Sequence, residues 1–360
     1  MSNSGRATQL DVARQAGVAR STVSLALRNH PSIPQQTRDR IRRIADELKY
    51  EPDPMLSALA SYRTRRRPRI YQGTLAWLVN SQPAFQWSQV SMFKQYHLGC
   101  REQAQTHGYQ LETFDLAVEG MSPTKVARIF RSRNIEGILL CPQPQPGTRL
   151  DFPWSDFAMV TFGYSLVSPA LHTAAPAQFR ATTETMQKMH ALGYRRIGFV
   201  HSMITDARAD HNFLGGYLTE KLLNGGGVDI PPLDEENLTA SSFRKWYRAH
   251  KPDAVITGNP RLLGIIAEAG YRVPDDLGVG CPNVPALDGN ISGIFEDSFH
   301  IGEAAVNFLV GMLHQGIRGI PQKPHHILVP GVWVPGETLT SQIPPRDMPA
   351  RVKRPDGITR

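Results

Sequence analysis

Residues 8–29 read TQLDVARQAGVARSTVSLALRN, and the fold of the chain is decided from this stretch outward. Thr8 and Asp11 have the spacing of a capping box. Thr8 can accept from the backbone N–H three residues on, and Asp11 can reach back while favouring the positive end of a helix. Leu10, Val12, Ala13 and Ala16 are apolar, and Gly17 then ends the helix, because glycine adopts a left-handed turn without strain. A second short helix follows, with Val23 and Leu27 on one face. Ala13, Gly17 and Val23 together have the spacing of a helix-turn-helix: the small side chain permits close approach, the glycine turns, and the valine fills the crossing. A third helix, from about Gln35 to Leu48, places Ile41, Ile44, Ala45 and Leu48 on one face and Arg38, Arg40, Arg42 and Arg43 on the rest.

Charge follows the same division. Residues 1–70 hold 14 Lys+Arg and 6 Asp+Glu, whereas residues 71–360 hold 26 of each, so the whole net charge of +8 sits at the start of the chain. A small basic unit on a large neutral one suggests a polyanion-binding head and a body with another task. A merely solubilising basic tail would lack the apolar periodicity seen here. A chain of 360 residues, 41% hydrophobic and 20% charged, has an ordinary globular composition with room for two or three domains. There is no apolar run long enough for a membrane helix and no apolar core of a signal peptide near Met1. Cys100, Cys141 and Cys281 are odd in number and far apart, which suits neither a disulfide framework nor a zinc site. A reduced, cytoplasmic compartment is therefore expected, with no membrane partner, no metal and no cofactor.

From residue 71 to 340 short apolar strands alternate with amphipathic segments. Strands are expected at 74–80, 109–115, 137–141, 158–162, 196–200, 253–257 and 277–281, and helices near 90–107, 123–133, 178–192, 212–224, 261–269 and 302–315. Strands separated by helix-length segments imply parallel sheets, whose ligands bind beyond the carboxyl ends of the strands. A late strand, HHILV at 325–329, is expected to complete a second sheet. Adjacent His325 and His326 would point to opposite faces and cannot chelate one metal.

Thr8 to Val18, then Ser21-Thr22-Val23-Ser24, Leu27, Asn29, Thr37-Arg38 and Leu48-Lys49-Tyr50-Glu51-Pro52 resemble, without a gap, the DNA-binding head of the lactose-repressor (LacI/GalR) family. The resemblance implies a small all-α helix-turn-helix head over 6–52, a hinge helix and basic linker over 53–70, and an α/β body over 71–340. That body would consist of two doubly wound, periplasmic-binding-protein-like subdomains, and residues 341–360 would form a loose tail. It also implies a homodimeric, sequence-specific transcription regulator. Such a regulator represses from a palindromic double-stranded DNA operator, is nucleoid-associated through that DNA, and binds a small effector of unknown identity in the body.

The resemblance places base-reading slots on Arg20, Ser21 and Leu25. Arg20 can donate twice to a guanine, and Leu25 can meet a thymine methyl. Thr8, Thr22, Ser24 and Asn29 fall on DNA-contact positions, the last three on phosphate-contact slots, which set register. Ala19 departs from the serine that usually caps the recognition helix. Met55 to Tyr62 makes a hinge helix only two turns long, marginal on its own, and Leu59 occupies the leucine that wedges into a base step. Five arginines between Arg63 and Arg69 follow.

In the body the resemblance frays. The family's arginine ahead of a Gly-aromatic pair aligns with Phe213, its aspartate in a Gly-aromatic-Asp turn with Pro282, and an aspartate after the fourth strand with Gly163. The Asn-Asp pair becomes Asn259-Pro260, one residue short. Amides and aromatics are left near the strand ends: Asn80, Phe85, Trp87, Gln143, Tyr164, Phe213, Asn259 and Asn283, with Gln82 beside them. An effector with a planar ring and few charges is expected, and simple hexoses and pentoses are not. Two other readings stay open at this point. The body is only a dimerisation scaffold, or the chain is a solute-binding protein, although that class carries no basic head. Absence of P-loop, HExxH, GxSxG and CxxC patterns argues against an enzyme.

Overall fold

The computed structural model describes residues 7–27, 33–48, 50, 71–80, 85–224, 230–287 and 289–343. The expected hinge and linker, with Leu59, lie outside the described residues, as do Asn29, the side chains of Ser21 and Ser24, and the tail beyond residue 343.

The head contains α1 (Gln9–Ala16), α2 (Arg20–Leu27) and α3 (Gln35–Glu47). Its core is built from Val12, Ala13, Ala16, Val23, Ala26, Ile41 and Ala45, all buried, with Ile44 and Leu48 packed at the edge. Arg40 Nη2 donates to the Ala16 carbonyl at 3.3 Å, so one arginine of α3 satisfies an orphan acceptor at the end of α1.

The body is built on two six-stranded sheets. The first runs β13-β7-β5-β3-β1-β2, formed by β1 (Gly73–Val79), β2 (Tyr109–Asp115), β3 (Gly137–Leu140), β5 (Ala158–Phe162), β7 (His172–Pro176) and β13 (His326–Val329). All of its pairings are parallel. Along β1, Leu75, Trp77 and Val79 face one core, and Ala76 and Leu78 face another. That period of two, apolar on both faces, is what a sheet covered on both sides requires. One face is covered by α4 (Ser91–Thr106) and α11 (Ser298–Gln315), the other by α5 (Pro123–Ser132). Helices α4 and α11 meet backbone to backbone: a Cβ on Gly99 would lie 1.9 Å from the Phe299 carbonyl oxygen.

The second sheet runs β14-β12-β11-β10-β8-β9. Its strands are β8 (Ile197–His201), β9 (Leu233–Asp234), β10 (Ala254–Ile256), β11 (Gly278–Val284), β12 (Gly293–Phe295) and β14 (Val332–Val334), and only β12–β14 is antiparallel among these pairs. Helices α6 (Gln178–Ala191) and α8 (Asn212–Leu223) pack one face, and α9 (Ala240–His250) and α10 (Leu262–Glu268) the other. A short helix, α7 (Met203–Arg208), follows β8, and a small parallel pair, β4 (Thr148–Arg149) and β6 (Leu166–Ser168), completes the described strands.

The chain passes between the sheets three times: after β7, between β12 and α11, and between β13 and β14. The strand expected at 325–329 therefore does not complete the second sheet. As β13 it pairs with β7 at the edge of the first, and β14 closes the second. Helix α9 and strands β7 and β12 are further elements that the periodicity had not marked.

Candidate functional site

Two places bring functional side chains together: the second helix of the head, and the cleft where the carboxyl ends of the two sheets meet.

In the head, Asp11 Oδ2 accepts from the Thr8 backbone N–H at 2.9 Å and from the Thr8 hydroxyl at 2.6 Å. The Thr8 hydroxyl, and secondarily its N–H, hold the Asp11 carboxyl below its ordinary range. Thr8 thus serves the helix start as a donor. Gly17 ends α1 at φ 63, and Val18 N–H reaches back to the Ala13 carbonyl at 3.1 Å, closing the turn. Arg20 opens α2, exposed, with Nε 3.5 Å from Gln9 Oε1 on α1. Thr22 and Leu25 are partly exposed on the same helix, whereas Val23 and Ala26 face the core. The start of α2 consequently leaves Arg20 exposed to solvent.

In the first sheet, Asn80 follows β1, and its amide donates to Gln143 Oε1 at 2.7 Å. Gln143 is fully buried, its side-chain amide donates to the Cys141 carbonyl at 2.7 Å, and its backbone N–H donates to Ser165 Oγ at 3.0 Å. Asn80 and Gln143 therefore tie the ends of β1, β3 and β5 to one another. Tyr164, half-buried, stands 5.6 Å from the ring of His326. Phe85 and Trp87 precede α4 and pack on the first core, Phe85 against Phe93 at 6.1 Å and Trp87 against Trp77 at 5.7 Å.

In the second sheet, Phe213 is 4% exposed and sits 4.8 Å from the ring of His201 at the end of β8. Asn259 N–H donates to Thr257 Oγ1 at 3.1 Å. Asn283 Oδ1 accepts from Cys281 Sγ at 3.4 Å.

The structure adds charged groups that sequence reasoning had not singled out. Glu235 accepts from Thr257 Oγ1 at 2.5 Å and from Asn259 and the Ser202 N–H, while burial pushes its carboxyl up. Glu296, on the crossing between β12 and α11, accepts from the Tyr96 hydroxyl at 3.3 Å. Enclosure of its carboxyl raises it to about 7. His201 Nδ1 meets the Ser202 carbonyl at 3.1 Å, so Nδ1 carries a proton, and burial shifts the ring's titration below its ordinary range. Arg208, at the end of α7, lies over Phe93 of α4, 5.4 Å from the ring centroid, with Tyr96 and Cys141 in its field. Its Nε is buried without a hydrogen-bond partner among the described residues. No spacing signal marked these four. They lie on separate segments, His201 ending β8, Arg208 ending α7, and Glu235 and Glu296 in loops, which only the folded sheets bring together.

Residues 8–53 match the family profile "Bacterial regulatory proteins, lacI family", and residues 186–339 match "Periplasmic binding protein-like domain". The chain thus carries a LacI-family helix-turn-helix head and a periplasmic-binding-protein-like body. The HTH-type transcriptional repressor CytR of Escherichia coli K12 is 25% identical over 331 residues, covering 85% of this chain and 90% of its own. Two solved structures share the fold. A transcriptional regulator CelR–cellobiose complex has a TM-score of 0.55 at 19% identity, covering 92% of this chain and all of that one. The lac repressor dimer bound to operator and the anti-inducer ONPF has a TM-score of 0.53 at 17% identity, covering 93% of this chain and all of that one. The protein is thus a DNA-binding transcription regulator of a non-enzyme family. Among the described residues no helix is long and apolar enough to cross a membrane.

Phe213, expected at the slot of the family's cleft arginine, belongs to the core of the second sheet. Arg208, from the preceding helix, reaches across to Phe93 of the first lobe. Arg208, Glu235 and Glu296 bring charge to these strand ends, with Asp115 near Cys141 and Asp210 near Tyr164.

Proposed function

We propose that the protein represses transcription as a homodimer on a palindromic operator, and that a small effector in the interlobe cleft shifts the DNA-competent population. The proposed division is a head over 6–52, a hinge and basic linker over 53–70, and a body over 71–340. The observation that carries this reading is the exposed start of α2, held by the Thr8–Asp11 cap and the Gly17 turn, with Arg20 as its first residue. In a helix-turn-helix the second helix enters the major groove with its first residues at base edges. Arg20, Ser21 and Leu25 then read bases, Thr22, Ser24 and Asn29 hold the phosphates, and Thr8 adds a further DNA contact. Leu59 wedges a central step.

A cleft between two lobes joined by three crossings supplies the coupling. A ligand that binds one lobe arrangement better than the other shifts the equilibrium by that difference in affinity, and no further.

Selection of bound duplexes from a random pool by the full-length protein tests the DNA reading. The expected result is a two-fold symmetric site with half-sites about one helical turn apart, or a multiple of it. Recovery of asymmetric or unrelated duplexes would overturn it. Operator affinity measured with and without cell metabolite extract tests the effector reading, for which a change in affinity is expected.

A further inference from the structure

We infer that the effector enters the cleft by an oxyanion, a carboxylate or phosphate group, received by the guanidinium of Arg208. This rests on the reading of the cleft as an effector site.

The argument begins with what Arg208 lacks. A guanidinium carries five N–H donors and stays charged, so burial is costly unless acceptors replace the lost water. Here Nε is buried with no acceptor among the described residues. The face of Phe93, 5.4 Å away, offers a cation–π contact, which offsets part of the desolvation and satisfies no N–H. The groups in its field, Tyr96 and Cys141, are both held protonated by burial, so neither supplies negative charge.

Four carboxylates of this region carry other bonds. Asp206 accepts from His211 Nδ1 at 2.9 Å and the Leu214 N–H at 3.0 Å. Asp115 accepts from the Ala117 N–H at 2.8 Å. Glu235 is bonded by Thr257, Asn259 and the Ser202 N–H, and Glu296 by Tyr96 and Ser298. A partly desolvated cation thus stands between the two lobes beside carboxylates that pair with other groups. A planar fork of donors in that setting matches the two oxygens of a carboxylate or phosphate, in short charge-assisted bonds.

The position also explains coupling. Arg208 belongs to the second lobe, and the ring beneath it and Tyr96 belong to the first. An oxyanion held there is gripped by one lobe while resting on the other, so its binding favours the closed arrangement.

The test uses the full-length protein and four probes at equal ionic strength: inorganic phosphate and acetate in the tens of millimolar, with gluconate and its neutral counterpart glucose at lower concentration. Melting temperature and protection of Arg208 from an arginine-directed dicarbonyl, read by mass spectrometry, are the two measurements. Phosphate or acetate should raise the melting temperature and protect Arg208, and gluconate should bind at least about tenfold tighter than glucose. Arg208→Gln should abolish the preference for the anion, and Arg208→Lys should retain part of it. If glucose binds as well as gluconate, and Arg208→Gln leaves both unchanged, the oxyanion assignment fails while the effector cleft stands. If neither phosphate nor acetate protects Arg208, the assignment also fails. An operator affinity indifferent to all metabolites would remove the effector reading itself.

Discussion

The Tyr96 hydroxyl donates to Glu296 Oε1 at 3.3 Å, joining the first turns of α4 to the crossing that returns from the second sheet to α11. One partner lies in the first lobe and the other on the short segment connecting the lobes, so the bond ties that connection to the first lobe. Enclosure raises the Glu296 carboxyl from 4.5 to about 7. The protonated form is therefore favoured by folding. Its contribution is complete below the unfolded value near 4.5 and is lost as pH rises through about 7. Glu296→Gln, neutral at every pH, should flatten this fall. The gain above neutrality should reach at most about 3 kcal/mol, reduced wherever water reaches the carboxyl. Melting curves of both proteins between acid and mildly alkaline pH give the answer, and parallel curves would show that Glu296 is already ionised without penalty.

Arg20→Ala should weaken operator binding by about 1–3 kcal/mol, the worth of a bidentate contact to guanine. Binding to unrelated duplex should be nearly unchanged. Titrations against operator and scrambled DNA at one fixed salt concentration compare the two. An equal loss on both would make Arg20 a phosphate contact.

Two glycines should respond to alanine for different reasons. At Gly17, φ is +63 and an added Cβ meets nothing within 4 Å, so the cost is backbone strain alone, about 1–2 kcal/mol. At Gly99 the same Cβ would stand 1.9 Å from the Phe299 carbonyl oxygen, where two helix backbones must separate. Gly99→Ala should cost at least the upper range of overpacking, about 3 kcal/mol. Denaturant melts resolve both, and Gly17→Ala should act on the head transition without shifting that of the body.

Leu59→Ala should reduce operator bending and lower operator affinity about tenfold, near 1.4 kcal/mol. Body stability should be unchanged. Circular-permutation mobility shifts report the bend. A mutant that bends DNA as well as the native protein would remove the wedge role.

Short-range chemistry explains why the head was legible in advance. Ala13, Gly17 and Val23 act within one supersecondary unit, and the structure places Ala13 and Val23 in the core and Gly17 in the left-handed turn that the spacing called for. The same holds for β1, whose uninterrupted apolar run TLAWLV announces a strand buried on both faces. Locality also set the limits. The residues 240–250 carry their buried Phe243 and Trp246 among Arg and Lys, so helix α9 escaped a search for apolar segments.

Sequence by itself determined the helix-turn-helix, the basic head, the parallel βα body and the family, because each rests on spacing or composition within short windows. Only the tertiary structure decided which sheet received the strand at 326–329, since a strand's hydrogen bonds do not specify their partner and β7 lies far back in the chain. It also decided what fills the cleft. Phe213 in place of arginine suggested an uncharged site, yet Arg208 reaches the first lobe from a neighbouring helix, and Glu235 and Glu296 arrive from two other segments. Coulomb and hydrogen-bond partners are chosen by distance in space, and no pattern along the chain records which loop ends will face one another once two sheets have folded.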